Sequence, residues 1–135
     1  MKMFSGFSLL ELLIAMMIMG LITSIAVPSY TKIQRNAKEN VVKGIGYTVQ
    51  MALESYYLTH GDYPAGLAMN VGDLEAILVQ SEHLPKVHEN PFTKLPFSSS
   101  DSSGLMEYTY DTSTQKYQLE VYGYLNQSVV LVLVN

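Results

Sequence analysis

Apolar residues run almost unbroken from Phe7 to Val27, with Glu11 the one charge among them. At about 1.5 Å per helical residue, this run covers the roughly 30 Å of a bilayer hydrocarbon core. Past Pro28 the pattern turns amphipathic. Ile33, Ala37, Val41, Ile45, Val49, Ala52, Leu53 and Tyr56 recur at three- and four-residue spacing, with Lys32, Arg35, Glu39, Lys43 and Gln50 opposite. This predicts one helix from Phe7 to about Leu58, apolar all round in its first half and needing cover on one face in its second. Gly20 weakens that helix, and Pro28, lacking an amide hydrogen, removes the bond to residue 24. Glu39 and Lys43 stand four apart in the favourable order for an ion pair. Gly44 and Gly46 each cost about 1 kcal/mol relative to Ala in a helix interior. They either allow the close approach of another element or merely loosen the helix.

His60-Gly61-Asp62 followed by Pro64 ends the helix, with Gly61 able to take the left-handed cap. Asp73 reads as the N-cap of a short helix from Leu74 to about Glu82, with Leu74, Ile77 and Leu78 as its apolar face. Residues 85–104 carry three prolines and a serine-rich run and read as loop. Three strands follow. Met106 to Tyr110 alternates, and Lys116 to Tyr122 places Tyr117, Leu119 and Val121 on one face. Val129 to Val134 is β-branched enough to suggest burial on both faces. Short turns make these an antiparallel meander, which would pack on the amphipathic helix half. The expected class is α+β, a long N-terminal helical spine with a small C-terminal sheet. The expected segments are a leader (1–6), an apolar helix half (7–27), an amphipathic half (28–58), a connecting region with a short helix (59–104) and the meander (105–135).

Charge changes the picture at one place. A lone carboxylate within an apolar span costs roughly 2.5–3.5 kcal/mol on insertion scales, so Glu11 calls for a partner. Two rival readings of the N-terminus are a plain membrane anchor and a secretory signal cleaved near Ser24-Ile25-Ala26. The long apolar run, an n-region with only Lys2, and Glu11 itself count against the second.

Gly6-Phe7-Ser8-Leu9-Leu10-Glu11 opening a hydrophobic segment resembles the processing and methylation signature of type IV pilins and pseudopilins, and the likeness extends through Gly20 and Ala26-Val27-Pro28 to about Tyr57. The resemblance implies that a prepilin peptidase cuts between Gly6 and Phe7 and methylates the new Phe7 amine. That amine lies one helical turn from Glu11. It could neutralise the carboxylate within the chain or meet the Glu11 of a neighbouring subunit. The family account favours the second, with Phe7 and Glu11 as the assembly pair and the Gly20–Pro28 stretch extending or melting in the filament. The implied function is a structural subunit of a type IV pilus-like filament, not an enzyme. Its partners would be other copies of itself, the peptidase/methyltransferase and an inner-membrane assembly platform. It would be a single-pass inner-membrane precursor and then a surface fibre. The alternatives are a pseudopilin of a type II secretion system, suggested by His60 to Pro64, Asp73-Leu74 and Leu84 to Phe92, or a minor DNA-uptake pilin using Lys32 to Lys43. Lys32, Arg35, Lys38 and Lys43 past the span would, by charge count alone, put the C-terminal part in the cytoplasm, opposite to what the resemblance implies.

The rest of the composition mainly excludes. The 135 residues carry a net charge of −4, which does not point to a nucleic-acid partner. No cysteine is present, so disulfides, thiolate metal sites and thiol nucleophiles are ruled out, and something else must hold the C-terminal region. His83 and His88 with Glu82 and Glu89 match no metal-site spacing and read as solvated loop residues, like His60 at the helix end. Asp101, Glu107 and Asp111 are the nearest acids to the C-terminal loops but lack the spacing of a calcium loop. The tyrosines of the tail read as sheet packing. No cofactor, metal or catalytic constellation is expected.

Overall fold

The computed structural model describes residues 6–135. The expected leader falls almost wholly outside the described residues; of residues 1–6 only Gly6 is among them, exposed and non-helical. The elements are α1 (Leu9–His60), β1 (Met69–Asn70), α2 (Val71–Gln80), β2 (Met106–Asp111), β3 (Lys116–Tyr122) and β4 (Val129–Val134). A long N-terminal helix and a four-stranded antiparallel sheet of order β1-β2-β3-β4 make this an α+β fold, as expected. By internal contacts the chain divides into residues 1–35 and residues 36–135.

In the second unit, one face of α1 is buried: Val42, Gly46, Val49, Ala52 and Leu53. Val49, Ala52 and Leu53 lie on it as expected, but before Val49 the face is rotated from the sequence expectation. Val41 and Ala37 are exposed and Ile45 and Tyr56 are half-buried, because the contact is centred on a glycine and not on a side chain. A Cβ on Gly46 would lie 3.1 Å from Val121 Cγ2 and 3.5 Å from Leu131 Cδ2, so the missing side chain is what lets β3 and β4 approach the helix. Gly44 has nothing within 4 Å and performs no such service. Glu39 does not spend its carboxylate on the surface pairing expected with Lys43. It accepts the Tyr124 amide at 3.0 Å and so ties α1 to the turn before β4.

The sheet turns one face to α1. Its register sets Met106 opposite Val121, Tyr108 opposite Leu119 and Tyr110 opposite Tyr117, and all six are buried. β4 departs from expectation. It is an edge strand in which Val132 and Val134 are 49% and 58% exposed and only Leu133 is buried. The first helical turn of α2 also lies earlier than expected. Asn70 is the N-cap, accepting the Asp73 amide at 3.1 Å, while its own amide group bonds the Asp73 carboxylate. Asp73 is thus the third residue of the helix, the acidic partner in a reciprocal cap. The inward face of α2 is Val71, Leu74, Glu75 and Leu78, with Ile77 only half-buried.

The C-terminal region is held by polar side chains. Asn90, fully buried, donates to Asp101 Oδ2 at 3.0 Å and to the Ser103 carbonyl at 2.9 Å, and accepts the Phe92 amide at 2.9 Å. Asp101 also takes the Ser98 amide, Asn126 donates to the Asp101 carbonyl, and Ser103 Oγ accepts the Leu125 amide. These bonds pin the 90–104 loop to the turn before β4, the task that a disulfide would otherwise perform.

Candidate assembly segment

The first unit consists, in its described part, of three exposed non-helical residues and the opening of α1. Nothing in this stretch is buried: Phe7 is 83% exposed, and Leu9, Leu10, Leu12, Leu13, Ile14 and the residues through Val27 are open along the helix. Among the described residues, α1 is the helix long and apolar enough to cross a membrane. A helix apolar on every side and covered on none needs an apolar environment, lipid or other helices.

Glu11 sits in the first turn of α1, where a negative charge is favoured by the helix dipole. Its Oε2 accepts the Ser8 amide at 3.1 Å, while Ser8 Oγ accepts the Leu10 amide at 3.3 Å and the Ser8 carbonyl accepts the Leu12 amide at 3.2 Å. Ser8-x-x-Glu11 is therefore a capping box, two otherwise orphaned amides satisfied reciprocally. The sequence holds this signal in the open, but reading Glu11 only as a charge in search of a countercharge passes over it. The second carboxylate oxygen keeps capacity for a further donor. Phe7 precedes the cap by one residue, so an amine placed there lies beside the Glu11 turn.

Gly20 lies within α1 with no atom near the place of a Cβ, and α1 continues through Pro28. Hydroxyls cluster around these two residues: Thr23 donates to the Met19 carbonyl at 2.7 Å, Ser24 to Leu21 at 2.9 Å, Ser29 to Ile25 at 3.1 Å and Thr31 to Pro28 at 2.9 Å. Side-chain bonds of this kind compete with the backbone ladder and soften a helix where a proline has already removed one rung.

The other singled-out residues do not join this segment. His88 is no solvated loop residue: its Nδ1 lies 2.7 Å and its amide 2.8 Å from the carboxylate of fully buried Glu75. His83 too is half-buried and hydrogen-bonded, to Ser55 and Thr59. Asp101 and Asp111 serve their own loops, Asp111 accepting from Ser113 and Thr114, which holds its carboxyl below the usual range. Among the described residues no three His, Asp or Glu side chains gather as a metal site.

Residues 1–27 match the family model described as the prokaryotic N-terminal methylation motif. The chain is 32% identical over 80 residues to a type IV major pilin of Neisseria gonorrhoeae, a match covering 56% of this chain and 37% of that protein. It is 32% identical over 81 residues to a fimbrial protein of Neisseria meningitidis serogroup A, covering 56% of this chain and 47% of the relative. It therefore spans less than half the length of these curated relatives. No solved structure matches the chain significantly. The chain thus carries the N-terminal methylation motif over residues 1–27 and is similar over 56% of its length to type IV pilin and fimbrial proteins.

Proposed function

We propose that this chain is a structural subunit of a type IV pilus-like filament, cleaved between Gly6 and Phe7, methylated on Phe7 and polymerised through the apolar opening of α1. The observation that carries this reading is an apolar surface exposed from Phe7 to Val27, helical from Leu9 on, that opens on the methylation motif. Before assembly, lipid covers that surface; in the filament, neighbouring helices do, so little apolar burial is lost in the exchange. Glu11 keeps its Ser8 amide and offers its other oxygen to the Phe7 amine of the adjacent subunit, which fixes the axial register. Gly20 and Pro28, flanked by the hydroxyl bonds, are where α1 extends on packing. The inner membrane holds the precursor, and an assembly platform there extracts it to the cell surface.

The named relatives are pilins and fimbrial proteins, which favours a surface fibre over the short periplasmic structure of a pseudopilin. A DNA-capturing role for the basic side finds less support. Lys38 and Lys43 are half-buried, and the Lys38 ammonium stands over the Phe92 ring at 5.5 Å.

The test is Glu11→Leu in the native host, read by intact mass and by electron microscopy. The expected product begins at a methylated Phe7 and yields no filaments. Normal fibres from this variant would refute the pairing, and a mature protein beginning at Met1 or Val27 would refute the processing.

A further inference from the structure

Past its apolar run, α1 meets its first cations at Lys32 and Arg35, and no Asp or Glu lies between Glu11 and Glu39. Both cations are exposed and belong to the first unit. Three residues apart, they share one side of the helix. Tyr30 and Ile33, 62% and 64% exposed, stand on the other side, where with Ala26 and Val27 they line a shallow apolar recess. Lys38 and Lys43 differ: both are half-buried in the second unit, and Lys38 stands over Phe92.

Depth decides what the two exposed cations can meet. From Leu9 to Val27 the helix rises about 27 Å, close to the roughly 30 Å of hydrocarbon in a bilayer. Beyond that lies a headgroup layer of about 5–8 Å on each side. At the same rise, the Lys32 backbone stands about 7.5 Å past Val27 and that of Arg35 about 12 Å. Helical side chains tilt toward the N-terminus, here toward the lipid, and long cationic ones carry their charge to the interface on an apolar stem. Both charges therefore reach the phosphate plane. Tyr30, between Val27 and Lys32, lies at the depth where tyrosines concentrate in membrane proteins.

We propose that Lys32 and Arg35 form a contact for the phosphates of anionic phospholipids, of which phosphatidylglycerol is the probe. This rests on the filament reading, in which α1 spans lipid before assembly. The contact fixes the depth of the span and is given up when α1 leaves the bilayer. It also gives these cations a task on the side to which the resemblance assigns the C-terminal part, where charge count alone would not put them.

The chain has no tryptophan, so Ile25→Trp supplies a single fluorophore two helical turns before Lys32 and on the same side. The full chain carrying it is reconstituted in mixed vesicles in which either phosphatidylglycerol or phosphatidylcholine has brominated acyl chains, and the ratio of quenching gives the relative affinity of the two lipids at that side of the helix. Phosphatidylglycerol should be favoured by about fivefold or more, and raising salt to about 0.5 M should cut the preference. Lys32→Gln with Arg35→Gln should bring the ratio close to one, while Lys43→Gln leaves it unchanged. Equal quenching by both lipids in the parent overturns this proposal alone. So does a preference that survives the double substitution or falls equally with Lys43→Gln. No quenching by either lipid places α1 outside the bilayer and overturns the membrane step of the filament reading as well.

Discussion

Two glycines two residues apart in α1 have opposite fates, and substitution separates them. Gly44 faces open space, so Gly44→Ala should gain the helix propensity of Ala without a clash, raising stability by about 0.5–1 kcal/mol. Gly46 lies under Val121 and Leu131, so Gly46→Leu must push the sheet off the helix and should cost about 1–3 kcal/mol. Urea unfolding of the full chain in detergent checks both, read as opposite shifts of the midpoint at unchanged slope. From the sequence, the two looked alike, each costly to a helix. Counting apolar side chains at three- and four-residue spacing has no way to score a position that matters because its side chain is missing. The predicted face therefore held Val49, Ala52 and Leu53 correctly but ran back along Val41 and Ala37, while the real one runs back along Gly46 and Val42. At Ser8 and Glu11 the signal was local, three residues apart, and readable by the capping-box pattern. The hydrogen bonds of Glu39 and Glu75 and those that the Asn90 side chain donates span 85, 13 and 11 to 13 residues and left no pattern to read.

At the scale of elements, periodicity did well where one face of a strand is buried. β2 and β3 alternate, and their boundaries and inward residues were legible. It failed for β4, because an unbroken run of Val and Leu looks the same in a central strand and at an edge. Only the strand order tells them apart. β1, at two residues, carries no period at all. The loop after α2 was legible as loop but not as a structure, and Asn90 is what makes it one. Asn90→Ala would strand the buried Ser103 carbonyl and the Phe92 amide together, and should cost about 2–4 kcal/mol. Asn90→Asp should cost more, since it sets a second carboxylate against Asp101 where an amide now donates. Urea midpoints measure both, and a loss under about 0.5 kcal/mol for Asn90→Ala would mean the loop is held by its apolar contacts alone.

For the molecule as a whole, the buried core lies in residues 42–133 and rests heavily on tyrosine, so the tyrosines fix how the fold answers to alkali. Tyr63 and Tyr117 both donate to the Glu54 carboxylate, at 3.0 and 2.8 Å, Tyr108 donates to the Pro64 carbonyl and Tyr110 to Asp62. Burial pushes Tyr108 and Tyr117 up from the usual phenol range, with the Glu54 bond adding to the rise at Tyr117. The bond to Asp62, then burial, pushes Tyr110 to about 12. The bond to Glu120 does the same for Tyr122, also to about 12. Each group holds its proton more tightly folded than unfolded, where a tyrosine titrates near 10. The folded state therefore binds more protons than the unfolded chain once the pH passes about 10, and stability falls as pH rises from there toward about 12. Below pH 10 the tyrosines add no slope. Unfolding midpoints should be flat across the neutral range on their account and drop steeply between about pH 10 and 12. The 295 nm absorbance of tyrosinate should rise in two steps, exposed tyrosines first and the buried set only with unfolding. Tyr117→Phe removes one of these late groups and one of the two hydroxyls that Glu54 accepts. It should lower stability at neutral pH while making the alkaline fall shallower, a crossing of the two curves that loss of packing alone would not produce.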